Sequence, residues 1–310
     1  MVSDSPSDPR RVVALVVNRD RVKQLLECLH QLQRLAEPCC GIIVADDAST
    51  DGSVVAVRDR FPHVHVARAE TQLGPAGARN LGVDLALRRF TFDYLLFLDN
   101  DAFVEPTTLT NLLDAATSRP DVGIVAPKAY QSKAEKRLHL AGELRVSLAA
   151  GRVRDVGAGE IDRGQYDAAR LVQACSGCAM LVRREVVERI GGFDPAFRLA
   201  AWEDIDFCLR AAEAGFEIAY APTAIVEHVG GVRGRGRDPG REKAKARNWW
   251  LLMRRHASPL QWACLLALLP LRALQTATGR VREGNAWAIG ALWSGLRDAA
   301  RIERSRRGRG

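Results

Sequence analysis

Three acidic clusters carry the chemistry that this sequence could perform. The first, Asp99-Asn100-Asp101, directly follows the apolar run Tyr94–Leu98. Two carboxylates two residues apart at a strand end can reach one hard cation, whose preferred ligands are oxygens. Mg2+ or Mn2+ held there would bridge a diphosphate and neutralise its charge as it leaves. Standing alone, the tripeptide is also an ordinary polar turn. The second cluster, Asp46-Asp47, ends the apolar run Ile42–Ala45. A carboxylate there could accept the imide N–H of a uracil or thymine ring. Asp47, Ser49 and Asp51 could equally cap the next helix, and the two uses are compatible. The third, Trp202-Glu203-Asp204-Ile205-Asp206, sets three carboxylates ahead of a helix. One of them could be a general base for an attacking hydroxyl. The same charges would also suit a helix N-terminus.

Other residues are read against these clusters. His228, just before Gly230-Gly231, is a candidate third metal ligand, although a lone His is more often structural. Arg79 follows the Gly74-Pro75-Ala76-Gly77 turn at a helix start, a place suited to phosphate. The Arg-Gly loop at 233–237 could close over a phosphate or stay solvated. Cys175 and Cys178 form a lone Cys-x-x-Cys with no second pair at zinc spacing, so both are read as structural. His30, His63, His65, His139 and His256 receive the same reading.

The elements that must position these side chains follow from the apolar pattern. Val12–Val17, Ile42–Ala45, Val64–Ala67 and Tyr94–Leu98 read as strands. Leucines recurring from Val22 to Leu35 predict a helix, and further helices are expected over Val54–Phe61, Ala78–Arg88 and Thr107–Thr117. Strands alternating with helices predict α/β units on a mainly parallel sheet. Ligands bind such sheets at the carboxyl ends of the strands, here the loops at Asn18, Asp46 and Asp99. From 122 to 228 the pattern is less regular. Gly151–Gly164 is expected to be a loop, Leu181–Ile190 and Ile205–Ala214 helices, and Ile218–Tyr220 and Ile225–Val226 strand fragments.

Composition narrows the class. The chain has 310 residues, 47% apolar and 26% charged, which excludes a disordered polyampholyte and permits one large domain. Seven cysteines are too few for a disulfide scaffold, and with no secretory signal they imply a reducing, cytoplasmic compartment. No apolar run is long enough to span a bilayer. The net charge of +8 is uneven. Residues 231–310 carry 18 Lys and Arg against 5 Asp and Glu, and five of the six Trp. Arg and Trp together suit a membrane interface better than nucleic acid.

Taken in order, these pieces resemble glycosyltransferase family 2, whose nucleotide-diphospho-sugar fold is called GT-A. The matching segments are Val16-Val17-Asn18-Arg19, Ile43 to Ser53 with its Asp46-Asp47, and Gly74 to Asn80. Leu98-Asp99-Asn100-Asp101, Gly191-Gly192-Phe193-Asp194, Glu203 to Asp206 and His228 complete the set. Asp162 to Asp167, Ser176 to Arg184, and Arg247-Asn248 ahead of Arg255-His256 are similar to its rhamnosyltransferase-like branch. The resemblance implies an inverting, metal-dependent transferase that uses a dTDP- or UDP-sugar, with dTDP-rhamnose the expected donor. It places Asn18, Asp46, Asp47, Arg79, Asp99, Asn100 and Glu203 on the donor, with Asp46 at the nucleobase and Arg79 at the leaving group. Asp101, Asp99 and His228 would hold Mn2+ or Mg2+, and Asp204 would be the base. The family often has Tyr where this chain has Val17, which leaves nucleobase stacking to other residues.

The expected organisation is a disordered N-terminus over 1–10, a GT-A domain over 11–250 and a helical tail over 251–310. The tail's Leu260–Leu271 stretch and the amphipathic stretch Trp287–Ile302, flanked by Arg, would lie on the anionic inner face of the cell membrane. The acceptor would then be a lipid-linked or cell-envelope glycan. The alternatives are a tail packed on the catalytic domain, a soluble enzyme acting on a small natural product, and a basic nucleic-acid-binding protein. The last leaves Asp46, Asp99, Asp101 and Asp204 without a role.

Overall fold

The computed structural model describes residues 10–199, 201–230, 238–282 and 290–298. The first half alternates strand and helix: β1 (Val12–Asn18), α1 (Val22–Leu32), β2 (Gly41–Asp46), α2 (Ser53–Arg60), β3 (His65–Arg68), α3 (Gly74–Arg89) and β4 (Tyr94–Asp99). After it come β5 (Ala102–Val104), α4 (Thr108–Thr117), β6 (Val122–Ser132), β7 (Arg137–Ala141), β8 (Leu144–Ser147), β9 (Arg152–Asp155) and β10 (Arg170–Leu171). β11 (Ala179–Arg183), α5 (Arg184–Ile190), α6 (Glu203–Glu213), β12 (Glu217–His228), α7 (Pro239–His256) and α8 (Pro259–Arg282) follow, and 290–298 is helical.

The main sheet runs β10-β12-β6-β11-β4-β1-β2-β3. It is parallel over β4, β1, β2 and β3, antiparallel on both sides of β11, and parallel again between β6 and β12. Alternation along the strands builds two cores. Val13, Leu15, Ile43, Leu95 and Phe97 face α3, α5 and α6, whereas Val12, Ala14, Val16, Val44 and Leu96 face α1 and α4. Helices thus cover both faces, as a parallel sheet with apolar strands requires.

Register places the polar strand ends side by side. Asn18 pairs with Asp46, Val17 with Asp99, and Leu98 with Ala179. β12 returns antiparallel to β5, so His228 pairs with Ala102, the residue after Asp101.

The middle of the chain departs from expectation. Leu181–Arg183 is strand, and the helix starts only at Arg184. β11 is buried between β4 and β6, so its continuous apolar run carries no period to separate strand from helix. The expected fragments at 218–220 and 225–226 are one strand, β12, whose register shifts between Ala221 and Ile225. Pro222 lies at the break and has no N–H for the ladder. The loop expected over Gly151–Gly164 contains β9, which pairs with β8. α3 begins at Gly74 rather than Ala78, because Asp47 accepts the N–H groups of Leu73 and Gly74 and Pro75 sits in the first turn.

The Asp162–Asp167 segment serves as a clamp. The buried Lys128 ammonium lies 2.9 Å from Asp162 Oδ2 and also contacts Asp167, while Tyr130 O–H donates to Asp162. Burial works against the Asp162 charge, but Tyr130, Lys128 and the Gly164 N–H overcome it and hold the carboxyl at about 2. Asp162→Asn is expected to destabilise the protein by about 2–3 kcal/mol, below the usual ~3–5 for a broken buried pair, because Asp167 still faces Lys128. The carboxyl titrates lower in the folded state than its ordinary ~3.9, so its contribution is present above ~4 and is lost as pH falls towards 2. Urea denaturation at pH 7 should show the difference, and the two proteins should converge on acidification.

α7 crosses residue 250 without a break and packs on α6. Asp206, fully buried, accepts from Arg210, Arg255 and His256 at 2.8, 2.7 and 3.0 Å. In α8, Leu265 is buried with the core, while Leu260, Leu266, Leu268 and Leu269 are exposed. No helix among the described residues is long and apolar enough to cross a membrane. The N-terminus 1–9, the Arg-Gly loop at 233–237, Trp287 and the final Arg run lie outside the described residues.

Candidate active site

The ends of β1, β2 and β4 are joined by a buried amide network. Asn18 Nδ2 donates to Asp46 Oδ2 at 2.9 Å and to Ser49 Oγ at 3.1 Å. Asn100 Nδ2 donates to Asn18 Oδ1 at 2.7 Å. Asp46 Oδ1 accepts from the Ser49 N–H, so this carboxylate, with no exposed surface, holds its own loop. Asp47 is likewise occupied at the start of α3. Asp51, just before the Gly52 N-cap of α2, accepts from the N–H groups of Val22 and Ser53 and so ties α1 to α2. Asn18, Asp46, Asp47 and Asn100 are thus brought together at these strand ends and held by hydrogen bonds.

Asp99, Asp101 and His228 also come together at these strand ends. Each offers a ligand atom, and the three lie within 4.8 Å of one another. Asp101 Oδ1 is 3.1 Å from His228 Nε2, and its Oδ2 meets the Arg21 guanidinium. A Cβ on Gly230 would collide with Asp101, so only glycine lets the chain pass this carboxylate. Two carboxylates and an imidazole suit Mn2+ or Mg2+. Burial opposes a charged His228, but Cys178, Asp101 and Asp99 outweigh it and push the imidazolium up to about 11. Burial likewise opposes a Cys178 thiolate, and His228 and His139 pull that thiol down to about 6.

Arg79 connects this set to α6. Its side chain is buried, with Nη2 3.0 Å from Asp99 Oδ1 and from the Gly177 carbonyl, and Nη1 2.9 Å from Glu203 Oε1. A Cβ on Gly177 would come within 2.9 Å of the guanidinium. Arg79 is therefore buried, where it holds Asp99 and Glu203 in place. Asn80 beside it grips the Phe193 backbone, donating to its carbonyl and accepting its N–H, both at 2.7 Å. That contact explains the spacing of the Gly191-Gly192-Phe193-Asp194 segment.

The three acidic residues opening α6 separate by their partners. Glu203 is buried against Arg79, and Asp206 belongs to the α6–α7 network. Asp204 alone is half-buried. Its Oδ2 accepts from the Gly177 N–H at 3.0 Å and its Oδ1 from the Ile205 N–H at 2.9 Å. Burial raises the Asp204 pKa, and the Gly177 N–H, Arg79 and the Ile205 N–H offset this only in part. Burial and the neighbouring Asp204 charge raise Glu203 as well, against Arg79. A partly exposed carboxylate with a raised pKa is the better proton acceptor.

Sequence reasoning missed Arg21, gave Asn80 and Asn248 no role beyond their place in matching motifs, and read Cys178 and His139 as structural. Asn248 is fully buried on α7 and donates to the carbonyls of Arg198 and Ala201, at 3.3 and 3.0 Å. Leu199, Ala201 and Trp202, in the loop that leads to Glu203, all have positive φ. Such non-glycine backbone is costly and needs support of this kind.

Comparisons with known proteins bear on the family and the fold. The model of the family described as "Glycosyltransferase like family 2" matches residues 9–258. An N-acetylglucosaminyl-diphospho-decaprenol L-rhamnosyltransferase of Mycobacterium tuberculosis is 28% identical, over 79% of this chain and 86% of that protein. A pre-mycofactocin glycosyltransferase of the same organism is 30% identical over 72% of this chain, but only 44% of that protein. Among solved structures, a mannosyltransferase from Pyrobaculum calidifontis in complex with GDP-Man and Mn2+ has a TM-score of 0.56 at 20% identity. The likeness covers 96% of this chain and 77% of that one, and marks the fold as GT-A.

Proposed function

The chain belongs to glycosyltransferase-like family 2 and is a glycosyltransferase, and from that premise we propose a metal-assisted, inverting sugar transfer with Asp204 as general base. One observation carries the reading. The Asp99, Asp101 and His228 set and the Asp204 carboxylate are held to each other through Arg79 and Gly177. Asp204 takes the proton of an acceptor hydroxyl as its oxygen forms a bond to the anomeric carbon of the donor sugar. The bond from that carbon to the diphosphate breaks on the opposite face, so the configuration inverts. A divalent cation, Mn2+ or Mg2+, held by Asp99, Asp101 and His228 would neutralise the departing diphosphate. The loop that Asp46 and Asp47 stabilise borders the nucleobase.

The donor is a dTDP- or UDP-sugar, with rhamnose from dTDP-rhamnose favoured by the rhamnosyltransferase relative, which matches over most of its own length. The acceptor is a lipid-linked or cell-envelope glycan. Exposed Leu260, Leu266, Leu268 and Leu269 beside a basic chain end support docking on the anionic inner face of the cell membrane. A thermal-shift screen of nucleotide diphosphates and nucleotide sugars, with and without Mn2+, tests the donor site. Selective, Mn2+-dependent stabilisation by dTDP or UDP compounds is expected. A folded protein that responds to none of them, even with lipid vesicles present, would remove the reading.

Asn248 is a positioning residue in this scheme. Asn248→Ala frees the Ala201 carbonyl, leaves the Arg198 carbonyl to Arg247 alone, and lets the strained loop before Asp204 relax. Turnover should fall by about ten- to a hundred-fold, the effect of a small misplacement of a reacting group. Donor affinity, measured by the same thermal shift, should stay within a few-fold, because Asn248 touches none of the donor-side residues.

A further inference from the structure

We propose that His139, Cys178 and His228 form a second metal site, built from nitrogen and sulfur and selective for Zn2+ or a similar borderline cation. The three side chains each offer a ligand atom, all within 4.8 Å of one another. The site is assembled from three separate parts of the fold. His139 lies on β7, Cys178 stands in the turn before β11, and His228 ends β12. The two imidazole rings meet edge to face with centroids 4.6 Å apart, and the Cys178 side chain is buried against them. Cys175, the other half of the Cys-x-x-Cys, points elsewhere, with its sulfur 3.8 Å from that of Cys208. The site therefore is not the one that the sequence motif would suggest.

His228 belongs to both ligand sets. Its Nε2 faces Asp101, while its Nδ1 is buried with no oxygen or nitrogen partner. The structure assigns Nδ1 to the second set. The two sets differ in character. Asp99 and Asp101 offer oxygen to a hard cation, whereas His139 and Cys178 offer nitrogen and sulfur to a softer one. Zinc commonly takes three protein ligands and leaves its fourth position to water. Zinc in the soft set would fix the His228 ring and take it from the hard set. The two metals then bind in competition, with zinc acting as an inhibitor. That competition rests on the metal-assisted reading proposed above, but zinc binding itself does not.

Titration of the full chain with Co2+, a spectroscopic probe for zinc sites, separates the two. One equivalent should produce a thiolate-to-cobalt charge-transfer absorption that added Zn2+ abolishes. Cys178→Ser should remove the band, and His139→Gln should weaken cobalt binding by at least the ~10–100-fold typical of losing even an outer partner. Cys40→Ser, which removes an exposed thiol elsewhere, should leave the band intact. Absence of a charge-transfer band in the wild-type protein would overturn the proposal. So would a band that follows Cys40, or one that survives in both Cys178→Ser and His139→Gln. If the band behaves as expected while nucleotide binding shows no Mn2+ dependence, the soft site stands and the hard site falls.

Discussion

Asp204→Asn is expected to lower turnover by about two to four orders of magnitude, the usual worth of a positioned base. That corresponds to roughly 3–5 kcal/mol of barrier. The substitution is close to isosteric, and the amide oxygen can still accept from one of the two backbone N–H groups that now meet the carboxylate, those of Gly177 and Ile205. The α6 N-terminus should therefore keep its place, and donor binding should change by no more than a few-fold. The pH profile provides a second, independent readout. The base must be ionised, and burial holds the Asp204 carboxyl above its ordinary ~3.9. As pH falls, activity should accordingly be lost earlier than an exposed aspartate would allow. The residual activity of Asp204→Asn should lack that limb. Turnover within a few-fold of wild type, or an unchanged limb in the variant, would remove Asp204 from the role.

The three strand ends were legible because each is a short apolar run that stops at a polar cluster. Asn18, Asp46 and Asp99 mark the carboxyl ends of β1, β2 and β4, and register then sets them side by side. The strands of the second half were less legible. β11 is buried at the sheet centre and shows no alternation, and β12 is interrupted at Pro222. Within the site, residue types alone name acidic clusters without ranking Glu203, Asp204 and Asp206 inside them. Only the family resemblance singled out Asp204 as the base and Glu203 for the donor. In the fold, Arg79 on one side, and Arg210, Arg255 and His256 on the other, leave Asp204 as the partly exposed member. Likewise the backbone groups that Asp46 and Asp47 hold, at Ser49 and at Leu73 and Gly74, could not be named from residue types alone. Arg21 carried no signal, and Asn80 and Asn248 lay in matching segments without an assigned role, since each acts through a contact with a distant segment.

Asp101→Asn should remove Mn2+-dependent donor binding while leaving a folded protein. Asp101 is the member of the hard ligand set that His228 and Arg21 both address, and its side chain is nearly buried. The amide keeps the volume, so Gly230 still fits against it, but it is a far poorer ligand for a hard cation. Arg21 is half-exposed and can turn to water when its partner loses charge, so the stability cost is small. The binding cost is large. At a ligand concentration about 100 times the dissociation constant, binding stabilises the native state by about 2.7 kcal/mol. A ~100-fold loss of affinity reduces this to about 0.4 kcal/mol at the same concentration. At roughly 2 °C per kcal/mol for a chain of this size, a wild-type shift of about 5 °C should shrink to about 1 °C. Asp99→Asn should lose less, because Asp99 is a third exposed and shares its charge with Arg79. An Asp101→Asn protein whose nucleotide shift still depends on Mn2+ would place the cation elsewhere. The carboxylates of β4 would then serve only to hold Arg79 and Arg21, and the electrostatic help to the leaving diphosphate would have to come from the basic residues beyond β12.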